Sequence, residues 1–179
     1  TGIFMPTDST AIGRPAATSL LLPNGHVLIA GGGAASLEIY DPSTGKFSLS
    51  GQLIAGRQNT TLTLLNTGEV LIAGGSLSGT GAELYDPVAN TSQATGSMLE
   101  SRIEPLAVGL IDGRVLIAGG LGGTALQTAE VYDPGTGTFS SVGATAIPHF
   151  RGTATRLQNG KVLLAGGSIA IGITARTVG

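Results

Sequence analysis

Four short apolar runs punctuate the chain at near-regular intervals: Val27–Ala30, Val70–Ala73, Val115–Ala118 and Val162–Ala165. A polar residue precedes each one (His26, Glu69, Arg114, Lys161), and a Gly-Gly pair follows each one directly. The first glycines of those pairs, Gly31, Gly74, Gly119 and Gly166, are 43, 45 and 47 residues apart. Apolar runs this short, bounded by turn residues, predict β-strands. No stretch carries the 3.6-residue apolar period of an amphipathic helix.

Other positions repeat with the runs. Gly25, Gly68, Gly113 and Gly160 stand six residues before the paired glycines, and Tyr-Asp-Pro recurs at Tyr40, Tyr85 and Tyr132. Glu38, Glu83 and Glu130 lie two residues before those tyrosines, and Arg14, Arg57, Arg102 and Arg151 open the units. Phe4, Phe47 and Phe139 precede Arg14, Arg57 and Arg151 by 10, 10 and 12 residues, while Ser92 replaces the aromatic in the second unit. Fixed offsets of this number identify an array of one supersecondary unit. Each unit reads as four strands. In the first copy, strand one covers Ala16 to Leu22, strand two His26 to Ala30, strand three ends at the Tyr and strand four carries the Phe. Asn24-Gly25, Asp112-Gly113 and Asn159-Gly160 provide the positive φ of a tight hairpin, and Asp-Pro-x-Thr-Gly turns the chain between strands three and four. The units divide the chain at 1–13 (the last strand of a preceding blade, with a lone strand over Gly2 to Met5), 14–56, 57–101, 102–150 and an incomplete 151–179. Gly120-Leu-Gly122 follows a strand, as in a dinucleotide-binding loop, but the helix that such a loop requires is missing.

Composition narrows the function classes. Among 179 residues there is no cysteine, so disulfides and thiolate chemistry are excluded. Only 11% of residues are charged, the net charge is −2, and no basic run exists, which argues against a nucleic-acid partner. No apolar stretch approaches the roughly 20 residues of a membrane-spanning helix. Low charge with abundant Thr, Ser, Gly and Ala points to an extracellular or cell-envelope location.

The pattern Arg…Gly-x-Val-Leu-Ile-Ala-Gly-Gly…Glu-x-Tyr-Asp-Pro…Thr-Gly-x-Phe resembles the kelch repeat, in its bacterial flavour. The resemblance implies an all-β fold, a kelch-type β-propeller of four-stranded antiparallel blades. About four blades are present, as part of a larger six- or seven-bladed ring. A four-bladed ring closed by a split blade is the second arrangement, and self-association through exposed blade edges the third. After Gly167 the pattern fades: Arg176 and Val178 stand where Glu130 and Tyr132 stand one unit earlier.

In such a blade the two–three loop and the blade-to-blade connection lie on one face. The interval from the second glycine to Glu grows from 6 to 8 to 10 residues, and the last Phe-to-Arg interval from 10 to 12, so the length variation gathers on that face. Variable loops on a rigid scaffold are where binding surfaces are built. Kelch proteins that recruit acidic peptides place arginine at the matching position, which makes Arg14, Arg57, Arg102 and Arg151 ligand-binding candidates. A charge repeated in every unit is also what a structural role would leave, with Arg bonded to loop carbonyls or a Glu. His149, in Pro148-His149-Phe150, interrupts the pattern and joins the candidates. The reading is a non-catalytic module that presents loops to a protein, peptide or glycan, with no cofactor and no metal. The related galactose oxidases need two histidines, two tyrosines and a cysteine; a domain of that oxidoreductase type would carry its active site elsewhere. A structural spacer in a larger surface protein is the remaining alternative.

Overall fold

The computed structural model describes residues 2–76 and 79–168, and every element in it is a strand. The first unit holds β1 (Ala17–Leu21), β2 (Val27–Gly31), β3 (Ala34–Asp41) and β4 (Lys46–Gln52). The second holds β5 (Thr61–Leu64), β6 (Val70–Ala73), β7 (Gly81–Asp86) and β8 (Thr91–Ser97), and the third β9 (Leu106–Gly109), β10 (Val115–Ala118), β11 (Thr128–Asp133) and β12 (Thr138–Ala144). A fourth unit begins with β13 (Phe150–Arg156) and β14 (Val162–Ser168). Each complete unit is a four-stranded antiparallel sheet in sequence order, and β13–β14 make a two-stranded sheet. The first strands pack side by side, β1 on β5, β5 on β9 and β9 on β13, so the blades form an arc with these strands on its inner edge.

The apolar runs are continuous because second strands are buried on both faces. Val70 and Ile72 face the first blade, where they meet Leu22, Leu28, Leu37 and Leu53. Leu71 and Ala73 face the third blade, where they meet Val115, Ile117 and Tyr132. The core is therefore a series of seams between blades. At roughly 1.5–3 kcal/mol for each buried aliphatic side chain, the seams are the main favourable term that holds the arc together.

Hydroxyls staple the same seams. Ser50 Oγ on β4 meets the Tyr85 hydroxyl of the next blade at 2.6 Å, and Thr95 Oγ1 on β8 meets the Tyr132 hydroxyl at 2.8 Å. Tyr40 and Tyr132 also stack at a tilt on Phe47 and Phe139, with centroids 4.8 and 4.9 Å apart. Ser92 takes the aromatic's place beside Tyr85, and its hydroxyl is buried without a partner.

Two expectations change. Gly2 to Met5 forms no strand, and Phe4 is fully exposed. A strand needs a neighbour for its ladder, and a third strand that could pair with this segment is not among the described residues. Its continuation is nevertheless docked as the repeat demands: the Asp8 N–H donates to Gly45 O as the Gly96 N–H does to Gly137 O two seams later. The expected strand over Thr174 to Val178 lies outside the described residues. No described helix is long and apolar enough to cross a membrane.

Candidate functional site

At the loop-bearing end of each of the first three units sits a buried ion pair. Arg14 Nε donates to Glu38 Oε1 at 2.6 Å and its Nη1 to Gly31 O at 3.1 Å. Arg57 reaches Glu83 Oε1 from Nη2 at 2.8 Å and Gly74 O from Nη1 at 2.9 Å. Arg102 reaches Glu130 Oε1 at 2.9 Å and Gly119 O at 2.7 Å. It is wholly enclosed and gains Thr128, whose hydroxyl accepts from Nη2 and donates to Glu100. The second oxygen of each glutamate is occupied too, accepting the backbone N–H of Ala11, Ile54 or Leu99 from the preceding connection. Burial opposes ionisation of Glu38, but the Arg14 guanidinium and the Ala11 N–H outweigh it and hold the pKa below the ordinary glutamate value. These three arginines are thus spent on loop carbonyls and glutamates within the blades.

The fourth counterpart is His149. Its Nδ1 lies 3.3 Å from Gly166 O, the carbonyl equivalent to Gly31, Gly74 and Gly119, and it is buried. All four partners stand 17 residues before their glycine, and Arg151 stands only 15 before it. The Gly120 N–H donates to His149 O as the Gly75 N–H does to Arg102 O. His149 therefore belongs to the repeat rather than to an irregular loop. The expectation of a longer last connection also falls, because Phe139 to His149 is 10 residues, as in the other units. Here the paired glycines earn their place. Gly119 and Gly120 have φ of 63° and 92°, and a Cβ on Gly119 would collide with the His149 carbonyl.

Two residues beyond the buried position, the chain enters the first strand through the left-handed region in every unit. Ala16 (φ 55°), Asn59 (φ 53°), Glu104 (φ 54°) and Arg151 (φ 60°) share this conformation, which costs a non-glycine residue about 1–2 kcal/mol. The Glu104 N–H donates to Asn59 O at 3.1 Å, and the Arg151 N–H to Glu104 O at 3.5 Å. The backbone is thus repeated while the side chains all differ. They line one mouth of about 290 Å³ at the inner edge of the arc, with Thr18 and Thr60. Arg151 Nε lies 2.7 Å from Glu104 Oε2; the arginine side chain is 69% exposed and the glutamate 11%. That oxygen is shielded from solvent and has no aligned donor, so the contact neutralises charge without a well-directed hydrogen bond. Among the described residues no group of three or more His, Asp or Glu could hold a metal ion.

Residues 105–144 match the kelch motif family. The described fold is that of part of a kelch-type β-propeller. Its blades superpose on the solved structure titled "Structure of YjhT" with a TM-score of 0.78 over 93% of this chain, at 13% identity. This kelch arc spans 62% of the length of that structure, and the likeness is one of fold. No curated protein matches the chain.

Of the five candidate residues, the structure brings Arg151 to the mouth and buries Arg14, Arg57, Arg102 and His149 behind it. Ala16, Asn59 and Glu104 are not among those candidates, because they share no residue type. Their signal is positional: two residues after the buried partner in each unit.

Proposed function

We propose that this kelch arc is a binding module, and that its recognition surface is the mouth formed by Ala16, Asn59, Glu104 and Arg151. One observation carries the reading: four units deliver four different side chains from one strained backbone conformation into one concavity. Strain held at a fixed place in every unit is characteristic of sites where position matters more than stability. The rigid seams behind it keep those side chains in place, as recognition requires. The partner is a protein, peptide or glycan segment with polar groups, since the mouth offers an amide, hydroxyls, a carboxylate and a guanidinium. Binding is the role assigned, and catalysis is not.

Peptide and glycan arrays probed with the wild type and with Arg151→Ala and Asn59→Ala test it. The expected result is a set of ligands whose signal drops about tenfold or more in both variants, with melting temperatures unchanged. Ligands that bind both variants as well as wild type would move the site elsewhere.

A further inference from the structure

We infer that the second unit holds a site separate from the mouth, for a small neutral molecule that carries a hydroxyl on a branched aliphatic body. The site is a hollow of about 270 Å³ over Gly81, walled by Ile54, Ala55, Ala82 and Ala94 and reaching the buried Arg57–Glu83 pair. Ala94 belongs to β8, so the hollow lies towards the outer edge of the blade, whereas the mouth lies at the inner edge.

The sister units show why the space is there. Ser36, Gly81 and Thr128 stand two residues before the paired glutamates and take one place in the register, opposite Gln52, Ser97 and Ala144. In the first unit Ser36 Oγ accepts from Arg14 Nη2 at 3.1 Å. In the third, Thr128 Oγ1 accepts from Arg102 Nη2 at 2.9 Å and donates to Glu100 Oε2 at 2.7 Å. The second unit has neither group: Gly81 offers no oxygen, and Ala55 stands where Glu100 stands one unit later. A Cβ added to Gly81 would meet no atom within 4 Å. Arg57 Nη2 therefore shares Glu83 Oε1 with Nε, and among the described residues no hydroxyl reaches it.

The same comparison defines the occupant. What Ser36 and Thr128 bring to the guanidinium is a hydroxyl oxygen on a short aliphatic stem, and the hollow lacks one. The Arg57 side chain is only 7% exposed, so bulk water is a poor substitute for that acceptor. Glu83 already neutralises Arg57 at 2.8 Å, so a further ion of either sign would enter without a partner. The alanines and Ile54 suit an apolar body.

tert-Butanol is the probe, set against tert-butylammonium and pivalate, ions of nearly the same shape. NMR would follow the Ala55 and Ala82 methyl signals and the Arg57 Nε–H during each titration at constant ionic strength. tert-Butanol is expected to shift them saturably and to bind about tenfold more tightly than either ion, since it alone brings an acceptor without a charge. Gly81→Thr puts the sister units' hydroxyl into the hollow, and Gly81→Val puts the same shape there without it. Both variants are expected to abolish the tert-butanol shifts, and Gly81→Thr to melt higher than Gly81→Val, although both residues favour strands. Absent or non-saturating shifts in the wild type, an ion that binds as tightly as tert-butanol, shifts that persist in both variants, or a Gly81→Val protein that melts as high as Gly81→Thr would overturn the inference.

Discussion

Two positions only two residues apart follow opposite rules. At the first, Arg14, Arg57 and Arg102 repeat residue, partner and distance, because each closes a seam by pairing with a glutamate and a carbonyl that water no longer reaches. At the second, Ala16, Asn59, Glu104 and Arg151 repeat only a backbone angle. Burial with charge compels uniformity: an unpaired ion inside a seam is expensive, so little else fits. A strained backbone that is open to solvent at Ala16 and Arg151 and half-buried at Asn59 and Glu104 does not specify the side chain, and there the units diverge. The array thus sets a fixed position beside a variable one within a single turn of chain.

The strongest way to break this contrast is Arg102→Ala. It strands Glu130 and the Gly119 carbonyl in a closed site, and the expected loss is about 3–5 kcal/mol in urea unfolding. A loss under about 1 kcal/mol would mean that the first position is not structural. Acid probes the Arg14–Glu38 pair more gently. Because the folded pKa of Glu38 is depressed, its contribution is complete above the ordinary glutamate pKa and disappears as pH falls through the lower folded value. The melting temperature should fall as the pH drops below the ordinary glutamate range, and fall less steeply in Glu38→Gln. The smallest effect belongs to the second position. Ala16→Gly relieves the left-handed strain but loosens the unfolded chain, so a gain of about 0.5–1 kcal/mol is expected by the same unfolding assay. A destabilised variant would show that the side chain at this place has a packing role.

Much of the fold could be read from the chain. The apolar runs, the Asn-Gly hairpins and the Tyr-Asp-Pro turns are local chemistry, and their strands lie within a residue or two of expectation. The Arg–Glu pairing was readable as one of two roles, since both residues recur. What misled was matching letters instead of distances. Arg151 shares a residue type with Arg102, but His149 shares its 17-residue offset to the glycine carbonyl and so occupies its place. Gly2 to Met5 erred for a different reason: a strand is a property of two segments, and only one of them was in view. The mouth was hidden because its members have only a dihedral angle in common, which no alphabet of side chains records.

Glu38, Glu83 and Glu130 each hold out an oxygen to a backbone N–H from the blade before, so no blade is finished by its own residues. A gene segment of this period copied in tandem therefore carries with it a socket for its predecessor and a plug for its successor. Blade number can then change by duplication without the invention of a new joint, while each copy's entry residue is free to drift toward a new specificity.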